Sequence, residues 1–327
     1  AEDMLTDGHD RVRALLTIAG NPVLSAPNGR LLDQALDGLD FMVSIDFYIN
    51  ETTRHADVIL PPTAALEHDH YDIVFHLLAI RNTTRYSQAL FEPEPGAMHD
   101  WEIILALADR LTDGSLFSRL KAGAIRWWMK RKGPAGLIES MLRSGPHADK
   151  VGIKELDDNP HGIDLGPLTP CLPDRLFTED KKIHLAPDTI TADLKRLRES
   201  QFASPDNDQL LLIGRRQARS NNSWMHNYHR LVKGKNRCTL LINPGDAERL
   251  GLADGATATV RSRVGEVGAP VEICDSMMPG VVSLPHGWGH DRPGIRLDTA
   301  SRHPGVSIND LTDENRVDGL SGNAAFS

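Results

Sequence analysis

A dense set of hydrogen-bonding side chains follows a short apolar run in the last third of the chain. The run, residues 210–213, is typical of a buried strand, and Gly214 ends it. The candidate binding residues that follow are Arg215, Arg216, Asn221, Asn222, Ser223, Trp224, His226 and Asn227. Arginine guanidinium groups bind phosphate, whereas asparagine amides and tryptophan suit flat heteroaromatic rings. The alternative is a solvated polar loop, but Trp224 within the polar run favours a binding loop.

A second group of this kind, PHGWGH, occupies residues 285–290 after another apolar run. Gly287 allows the backbone to approach a ligand closely, and His286 and Trp288 supply ring contacts. The HxxxH spacing would suit a metal site on a helix, but the interleaved glycines disfavour a helix. Because both polar groups follow apolar strands and both contain a tryptophan, we predict that they lie side by side in one binding site.

The amino-terminal part must position a third group of polar residues. Apolar runs at 13–19, 41–45 and 57–60 predict buried parallel strands, with a helix around 29–39, and therefore an α/β sheet. Ligands of such sheets bind beyond the carboxyl ends of the strands. The candidates at those ends are Gly20, Asn21, Pro22, Asp46 and Thr63. The alternative for each is a helix cap or a turn residue.

The pattern changes after residue 238 to many short strands and one short helix. Strands are predicted at 238–242, 256–263, 267–273 and 281–284. Asn243 is the expected N-cap of the helix, with Pro244 in its first turn and Gly251 at its end. This arrangement predicts a small β-barrel. Asn309 lies in a polar tail, for which the alternative is a frayed carboxyl terminus.

Composition excludes several classes of protein. The net charge of −9 argues against a general nucleic-acid binder, and the sequence has no apolar run near the roughly 20 residues that cross a membrane. The three cysteines are widely spaced and form neither a disulfide framework nor a CxxC site. A cytoplasmic location is expected, with a periplasmic one left open because an export signal would lie upstream. The chain lacks an initiator Met, so we expect it to be part of a longer polypeptide.

Two kinds of site are not supported by the motifs. No GxGxxG is present, so a nicotinamide site is not predicted. The histidines and carboxylates at 67–76 follow no recognised ligand spacing, so no metal ligand is predicted there or elsewhere in the chain.

Taken together, the sequence resembles the molybdopterin oxidoreductase family, which includes dimethyl sulfoxide reductase, nitrate reductase and formate dehydrogenase. The resemblance covers the carboxyl-terminal half of such proteins. The matching segments run in the family's order: GNP at 20–22, Asp46 followed by ETTRHADVILP, GRR at 214–216, INPGDAERLGLADGATATVRS, PG-VVSLPHGWGH, and NDLT with SGN. The segments PHGIDLGPL and RRQARSNNSWMHN look most like the formate dehydrogenase-like and thiosulfate reductase-like branch.

The resemblance implies a fold and a cofactor. The fold is a partial Rossmann-like α/β domain at 1–112, a helical and extended connection at 113–207, and a double-psi β-barrel at 208–327. The cofactor is bis(molybdopterin guanine dinucleotide) with molybdenum or tungsten. By position, Gly20, Asn21, Pro22 and Asp46 would serve the guanosine diphosphate portion. The pterin or phosphate contacts would come from Arg215, Arg216, Asn222, Ser223, Trp224, His226, His286, Gly287, Trp288 and Asn309, with Thr63, Asn221 and Asn227 as further cofactor-binding residues.

The resemblance also implies what this chain lacks. The family's cysteine motif for an iron–sulfur cluster and the segment with the metal-ligating Ser, Cys or selenocysteine are absent. We therefore expect the isolated chain to be inactive and to depend on an amino-terminal part of the same polypeptide, with an electron-transfer subunit as a further partner. The whole protein would transfer electrons or an oxygen atom on a small substrate. A non-catalytic cofactor-binding or assembly module, and a β-barrel interaction domain without cofactor, are the alternatives.

Overall fold

The computed structural model of the chain describes residues 1–111, 116–201 and 209–324. They belong to two compact units, one made of Ala1–Leu60 with Leu185–Ser327 and the other of Pro61–His184. The predicted domain boundaries at 112/113 and 207/208, and the last three residues of the predicted barrel, lie outside the described residues. The predicted limits of the three segments therefore stay a prediction.

The first unit begins with a small parallel sheet flanked by short helices. Its elements are α1 (Glu2–Leu5), β1 (Ala14–Ile18), α2 (Pro22–Ser25), α3 (Gly29–Asp37), β2 (Phe41–Ile45) and β3 (Val58–Ile59). The strands are parallel in the order β1-β2-β3, with Ala14 opposite Phe41 and Val43 opposite Val58. This confirms the predicted α/β sheet, whose carboxyl edge carries the loops after β1 and β2.

One face of this sheet is covered and the other is largely exposed. Val23, Leu36 and Met42 pack together on the covered face. Leu16 and Ile18, however, are 43% and 49% exposed. The prediction of a fully buried strand was therefore wrong for β1. An apolar run indicates burial on both faces, whereas in the described residues nothing covers these alternate side chains.

The second unit, Pro61–His184, combines short hairpin-like pairs with longer helices. Its elements are β4 (His70–Tyr71), β5 (Arg81–Thr84), β6 (Tyr86–Ser87), α4 (Asp100–Leu111), α5 (Leu116–Arg143), α6 (Ile153–Asp157) and β7 (Ile163–Pro167). β4 pairs with β6 and β5 pairs with β7, both antiparallel. Its core contains Tyr86, Val151 and Leu156. Across the three described stretches, no helix combines the length and the apolar character that crossing a bilayer requires.

The first unit resumes with a helix and then a mixed β-sheet. The elements are α7 (Asp188–Gln201), β8 (Leu211–Arg215), α8 (His229–Val232), β9 (Leu240–Ile242), α9 (Pro244–Arg249), β10 (Thr257–Arg261), β11 (Glu266–Ile273) and β12 (Val281–Pro285). The five strands follow the order β10-β11-β9-β12-β8. β12 is parallel to β8 and antiparallel to β9, and β11 is parallel to β9. The predicted strands are confirmed, as is the N-cap, because the Asn243 side chain accepts a 2.9 Å hydrogen bond from the Gly245 N–H.

The mixed sheet surrounds a dense apolar core and is tied to the parallel sheet. Leu240, Ile242 and Leu284 are each at most 3% exposed, and burying each side chain stabilises the fold by about 1.5–3 kcal/mol. Buried Asn309 donates from Nδ2 to the Leu24 carbonyl at 2.7 Å. The Asn28 N–H bonds the Thr312 carbonyl at 2.9 Å. These contacts hold the segment that follows β12 against α2 and the start of α3.

Candidate functional site

The two predicted polar groups lie side by side, as expected from the sequence. β8 and β12 are parallel neighbours with Arg215 opposite Pro285, and the His286 N–H bonds the Arg215 carbonyl at 3.0 Å. The chains that leave both strand ends therefore start next to each other. Gly287 has a φ of +90°, and a Cβ there would collide with the Asn222 carbonyl oxygen. Glycine is needed at this position because the two loops are in backbone contact.

The first loop is shaped by its asparagines. Asn221 and Asn222 adopt left-handed backbone conformations, with φ of 43° and 60°, which asparagine tolerates better than most residues. The Asn222 side chain accepts a hydrogen bond from Arg216. Asn227 accepts from the Thr299 N–H at 3.0 Å and so fixes the following turn. Trp224 remains 63% exposed. This tryptophan is available to a ligand rather than part of the core.

Arg216 and His286 place a positive charge and an aromatic ring where the two loops leave β8 and β12. Burial, and then the positive charge of Arg216, lower the pKa of His286 below its ordinary value. His286 is therefore a neutral ring beside a cationic guanidinium at neutral pH. Such a pair suits a ligand that combines an aromatic ring with an anionic group.

Beneath the loops runs a buried chain of three titratable side chains. The Glu51 carboxylate contacts His290 Nδ1 at 2.7 Å, and His290 Nε2 contacts His226 Nδ1 at 2.6 Å. All three side chains are at most 1% exposed. These three hydrogen-bonded side chains link the loop after β2 to both polar loops of the mixed sheet. Sequence reasoning gave Glu51 no role, although it stands in the ETTRH segment.

The charge states of Glu51 and His226 follow from their burial and from their contacts with His290. Burial alone would raise the pKa of Glu51, but the hydrogen bond and the charge of His290, with a further bond from Asn21, hold it below its ordinary value. Burial, and then the charge of His290, lower the pKa of His226 from 6.5 to about 3, although a hydrogen bond with the Gly287 backbone raises it. Glu51 is therefore ionised and His226 is neutral at neutral pH.

Unsatisfied polar atoms concentrate around the second loop. Within the described residues, His226 Nε2, Trp288 Nε1 and Ser307 Oγ are buried and have no hydrogen-bond partner. The His226 and Trp288 rings lie 4.2 Å apart between centroids. A Cβ on Gly289 would lie 2.7 Å from the Ser307 Cβ, so this serine is in direct contact with the same loop. Buried donors are almost always satisfied, so these atoms indicate a place for a bound group.

A cavity of about 270 Å³ adjoins Trp288. Its lining residues are Val232, Gly234, Lys235, Asn236, Arg237, Trp288, Arg302, His303, Pro304 and Gly305. Drug-sized ligands fill roughly 300–1,000 Å³, so this cavity suits part of a large ligand. The basic lining suits an anion. Sequence reasoning missed Lys235, Arg237 and Arg302. The signal that could have found Lys235 and Arg237 is the basic run KGKNR at 233–237, whose glycine follows the end of the preceding helix, whereas Arg302 lies outside this run.

Two predicted residues are already engaged inside the protein. The Arg215 guanidinium donates to the carbonyls of Ser283 and Thr239, both at 2.6 Å. Asn309 uses Nδ2 for the Leu24 carbonyl and Oδ1 for the Thr312 hydroxyl. Both side chains stabilise the framework of the site, and their direct contact with a ligand stays a prediction.

The candidates at the edge of the parallel sheet reach the same region through Asn21. Its Nδ2 donates to Glu51 at 2.7 Å and its Oδ1 accepts from the Thr52 hydroxyl at 2.8 Å. Gly20 precedes it, and Pro22 begins α2, where a missing N–H costs nothing. Asp46 directly follows β2 and accepts from the Tyr48 N–H at 3.0 Å. Burial raises the pKa of Asp46 despite its hydrogen bonds.

Thr63 belongs to the other unit, where its hydroxyl contacts His99 Nδ1 at 2.7 Å. The structure therefore does not group it with the remaining candidates. In the part of the chain that the structure describes, no three His, Cys, Asp or Glu side chains are arranged to hold a metal ion.

Comparisons with known proteins identify the relatives of this chain. The family model described as "Molybdopterin oxidoreductase" matches residues 5–110, and the "Molydopterin dinucleotide binding domain" matches residues 210–327. The chain is 27% identical to the alpha subunit of an F420-dependent formate dehydrogenase of Methanocaldococcus jannaschii, over 91% of this chain and 42% of that protein. It is 25% identical to the assimilatory nitrate reductase catalytic subunit of Bacillus subtilis, over 94% and 42% respectively.

A solved structure shares the fold. Acetylene hydratase from Pelobacter acetylenicus superposes with a TM-score of 0.69 at 18% identity, covering 99% of this chain and 44% of that one. The parallel sheet, the mixed sheet and this likeness define a mixed α/β fold. The chain belongs to the molybdopterin oxidoreductase family and includes its dinucleotide-binding domain, which binds molybdopterin guanine dinucleotide with molybdenum or tungsten. It spans about two fifths of the length of the curated relatives it matches.

Proposed function

We propose that the chain is the cofactor-binding carboxyl-terminal portion of an oxidoreductase that transfers electrons or an oxygen atom on a small substrate. The observation that carries the proposal is a pair of buried ring nitrogens, His226 Nε2 and Trp288 Nε1, that have no hydrogen-bond partner among the described residues, with Trp288 lining a basic cavity. They lie in the segment that matches the dinucleotide-binding domain. Similarity to a formate dehydrogenase subunit supports the formate dehydrogenase-like or thiosulfate reductase-like branch.

The residues present fit such a cofactor. A pterin edge carries ring nitrogens and a carbonyl oxygen that can accept from His226 and Trp288, and the pyrophosphate can meet Arg216. Asp46, at the carboxyl edge of the parallel sheet, can accept from guanine N–H groups or ribose hydroxyls. The loop residues Asn221, Asn222, Ser223 and Trp224 would complete the ring contacts, and Thr63 stays a candidate.

The metal centre, when bound, supplies the redox chemistry, while this chain binds and orients the cofactor. Trp288 and His226 exclude water from one side of the binding region because both are buried. Arg216 supplies positive charge at the loop mouth. We also propose that the mixed sheet is a double-psi barrel. Its combination of parallel β8–β12 and β9–β11 pairs with antiparallel neighbours supports this topology.

The remaining parts of the proposal concern the whole protein. We propose that a further part of the same polypeptide carries an iron–sulfur cluster and the metal ligand, and that an electron-transfer subunit accepts the electrons. The exposed apolar face of β1, with Leu16 and Ile18, supports a further covering segment. We propose a cytoplasmic location, which three free thiols support.

The test is turnover by the longer polypeptide, encoded from its natural start. The protein is purified from cells grown with molybdate or tungstate, and then assayed with a redox dye and formate, thiosulfate, nitrate or a sulfoxide. Turnover of at least one substrate, lost in protein from metal-starved cells, is the expected result. A protein that retains the cofactor but turns over none would instead favour the non-catalytic module.

A further inference from the structure

We infer that Glu51 and His290 are positioning residues that hold His226 as a neutral imidazole with its proton on Nε2. His226 is then a fixed hydrogen-bond donor, and the group it meets must be an acceptor. The inference about the ligand rests on the proposed function, whereas the proton position is a property of this chain alone.

The first step is the orientation of Asn21. The Thr52 hydroxyl accepts the Val23 N–H at 3.1 Å and donates to Asn21 Oδ1 at 2.8 Å. Asn21 therefore turns its Nδ2 toward Glu51, where it donates at 2.7 Å. His290 Nδ1 lies 2.7 Å from the other carboxylate oxygen. Both oxygens of Glu51 accept, as expected of an ionised carboxylate.

The second step is the charge of His290. A fully buried carboxylate without a counter-charge is strongly destabilising. The arginine that follows Glu51 in this loop, Arg54, pairs with Asp33 at 2.5 Å, and Arg292 bridges Asp33 and Asp310. His290 is the basic side chain that contacts Glu51. An imidazolium at His290 therefore neutralises Glu51.

The third step is a count of protons. An imidazolium carries hydrogen on both nitrogens, so His290 donates from Nδ1 to Glu51 and from Nε2 to His226. His226 must then accept at Nδ1, across the 2.6 Å contact. A neutral imidazole has one N–H, which is left on Nε2. That atom is buried and makes no hydrogen bond of standard geometry within the described residues. The Gly287 backbone, which raises the pKa of the ring, is consistent with a proton on this nitrogen.

The consequence is selectivity for acceptors. With neutral His290, the shared proton would sit on His226 Nδ1, and Nε2 would be an acceptor instead. The charge of His290, which lies 64 positions from His226 in the sequence, thus decides whether His226 Nε2 meets a hydrogen-bond acceptor or a donor of the ligand. A pterin ring nitrogen, a carbonyl or a phosphate oxygen satisfies the donor, whereas an amino group does not.

The test is nitrogen NMR of the full 327-residue chain with ¹⁵N-labelled histidine and no added cofactor. His226→Gln and His290→Gln each remove one set of ring signals, which assigns the missing set to the substituted residue. We expect His226 to show a protonated Nε2 and a bare, hydrogen-bonded Nδ1, and His290 to show two protonated nitrogens. In Glu51→Gln, the proton of His226 should move from Nε2 to Nδ1. The matched control, Glu272→Gln, removes a carboxylate that contacts Lys235 and Thr239 and should change neither pattern.

The outcomes separate the two proposals. A bare Nε2 on His226 in the unmodified chain would overturn the inference, whether or not the longer polypeptide binds its cofactor. The same holds for an unchanged proton position in folded Glu51→Gln. If that variant does not fold, the pattern of the unmodified chain decides alone. A protonated Nε2 in a polypeptide that never acquires cofactor would support the inference and defeat the proposed function.

Discussion

Arg215 and Arg216 are sequence neighbours with different tasks. The Arg215 guanidinium is half-buried and bonds the carbonyls of Ser283 and Thr239. Arg216 is exposed, with its contact to Asn222 at the loop surface. We predict that Arg215→Ala lowers the free energy of unfolding by about 1–3 kcal/mol, because it leaves buried carbonyl acceptors without a hydrogen-bond donor. Arg216→Ala should change it by less than about 0.5 kcal/mol. Urea denaturation of both variants measures this, and equal losses would contradict the division.

His226 makes the stability of the chain depend on pH. Its pKa is lowered from 6.5 to about 3, so the native state binds fewer protons than the unfolded state between these values. The stability that the neutral ring contributes is fully present above about pH 6.5 and is lost as the pH falls toward 3. The slope from this residue approaches about 1.4 kcal/mol per pH unit.

We therefore predict that His226→Gln flattens the fall in unfolding free energy between about pH 6.5 and about pH 4. The control is His9→Gln, whose side chain is fully exposed, and which should keep the slope of the parent chain. Urea titrations at several pH values give the comparison. An undiminished slope in His226→Gln would mean that other groups dominate acid sensitivity.

Some site residues could be predicted from their types, whereas others depend on contacts that only the fold creates. The loop residues Arg216, Trp224 and Trp288 could be selected from their types, because solvated loops rarely need such side chains. The role of Glu51 could not, because a carboxylate in a polar segment has no partner until the fold supplies one. Its partner His290 lies 239 residues away. Arg215 and Asn309 were selected by type, but the fold uses their polar atoms internally.

At the scale of elements, Gly287 sets the distance between the two binding loops. Its positive φ disfavours any residue with a side chain. The Asn222 carbonyl also excludes a side chain, because it occupies the space that a Cβ would need. We predict that Gly287→Ala destabilises the chain by about 1–3 kcal/mol. Gly280→Ala is the matched control, since its φ is +79° but no atom of the described residues lies within 4 Å of the place its Cβ would take. A similar loss in both variants, measured by urea denaturation, would show strain alone and no loop contact.

The two sheets of the first unit should differ in local stability. β9 and β12 enclose a core in which Leu240 and Leu284 are at most 3% exposed, whereas β1 leaves Ile18 49% exposed. We predict slower amide hydrogen exchange in β9, β11 and β12 than in β1 and β2. Mass-spectrometric exchange of the full chain measures this. Greater protection of β1 and β2 would contradict the account.

The strands and the Asn243 cap were predictable because they depend on local patterns. Apolar runs located β2 and β12 almost to the residue, and Pro244 marked the first turn of α9. The exposure of β1 was not predictable, because the run that forms it has the composition of a strand covered on both sides. A sequence pattern reports what a strand can bury, and not which layers are present.

At the scale of the whole molecule, most of the candidate cofactor-binding residues lie in one compact unit. The chain spans about two fifths of the length of its curated relatives. The polar loops after β8 and β12, the edge of the parallel sheet and the buried Glu51–His290–His226 chain lie within one compact unit. Binding a long dinucleotide cofactor requires such a grouping, because one protein unit must contact both ends of the cofactor at the same time.

The most direct test is the cofactor content of the longer polypeptide. Molybdenum or tungsten is measured by mass spectrometry, and guanine nucleotide is measured after acid hydrolysis. We predict that both are present and that Arg216→Ala weakens retention on dialysis by about 1.5–3 kcal/mol, through loss of a charge-assisted contact. Arg261→Ala, which removes an exposed arginine of β10 paired with Glu266, should retain both. Full metal and nucleotide content in a variant lacking the Arg216 and His226 side chains, or no guanine nucleotide in the parent protein, would contradict the account.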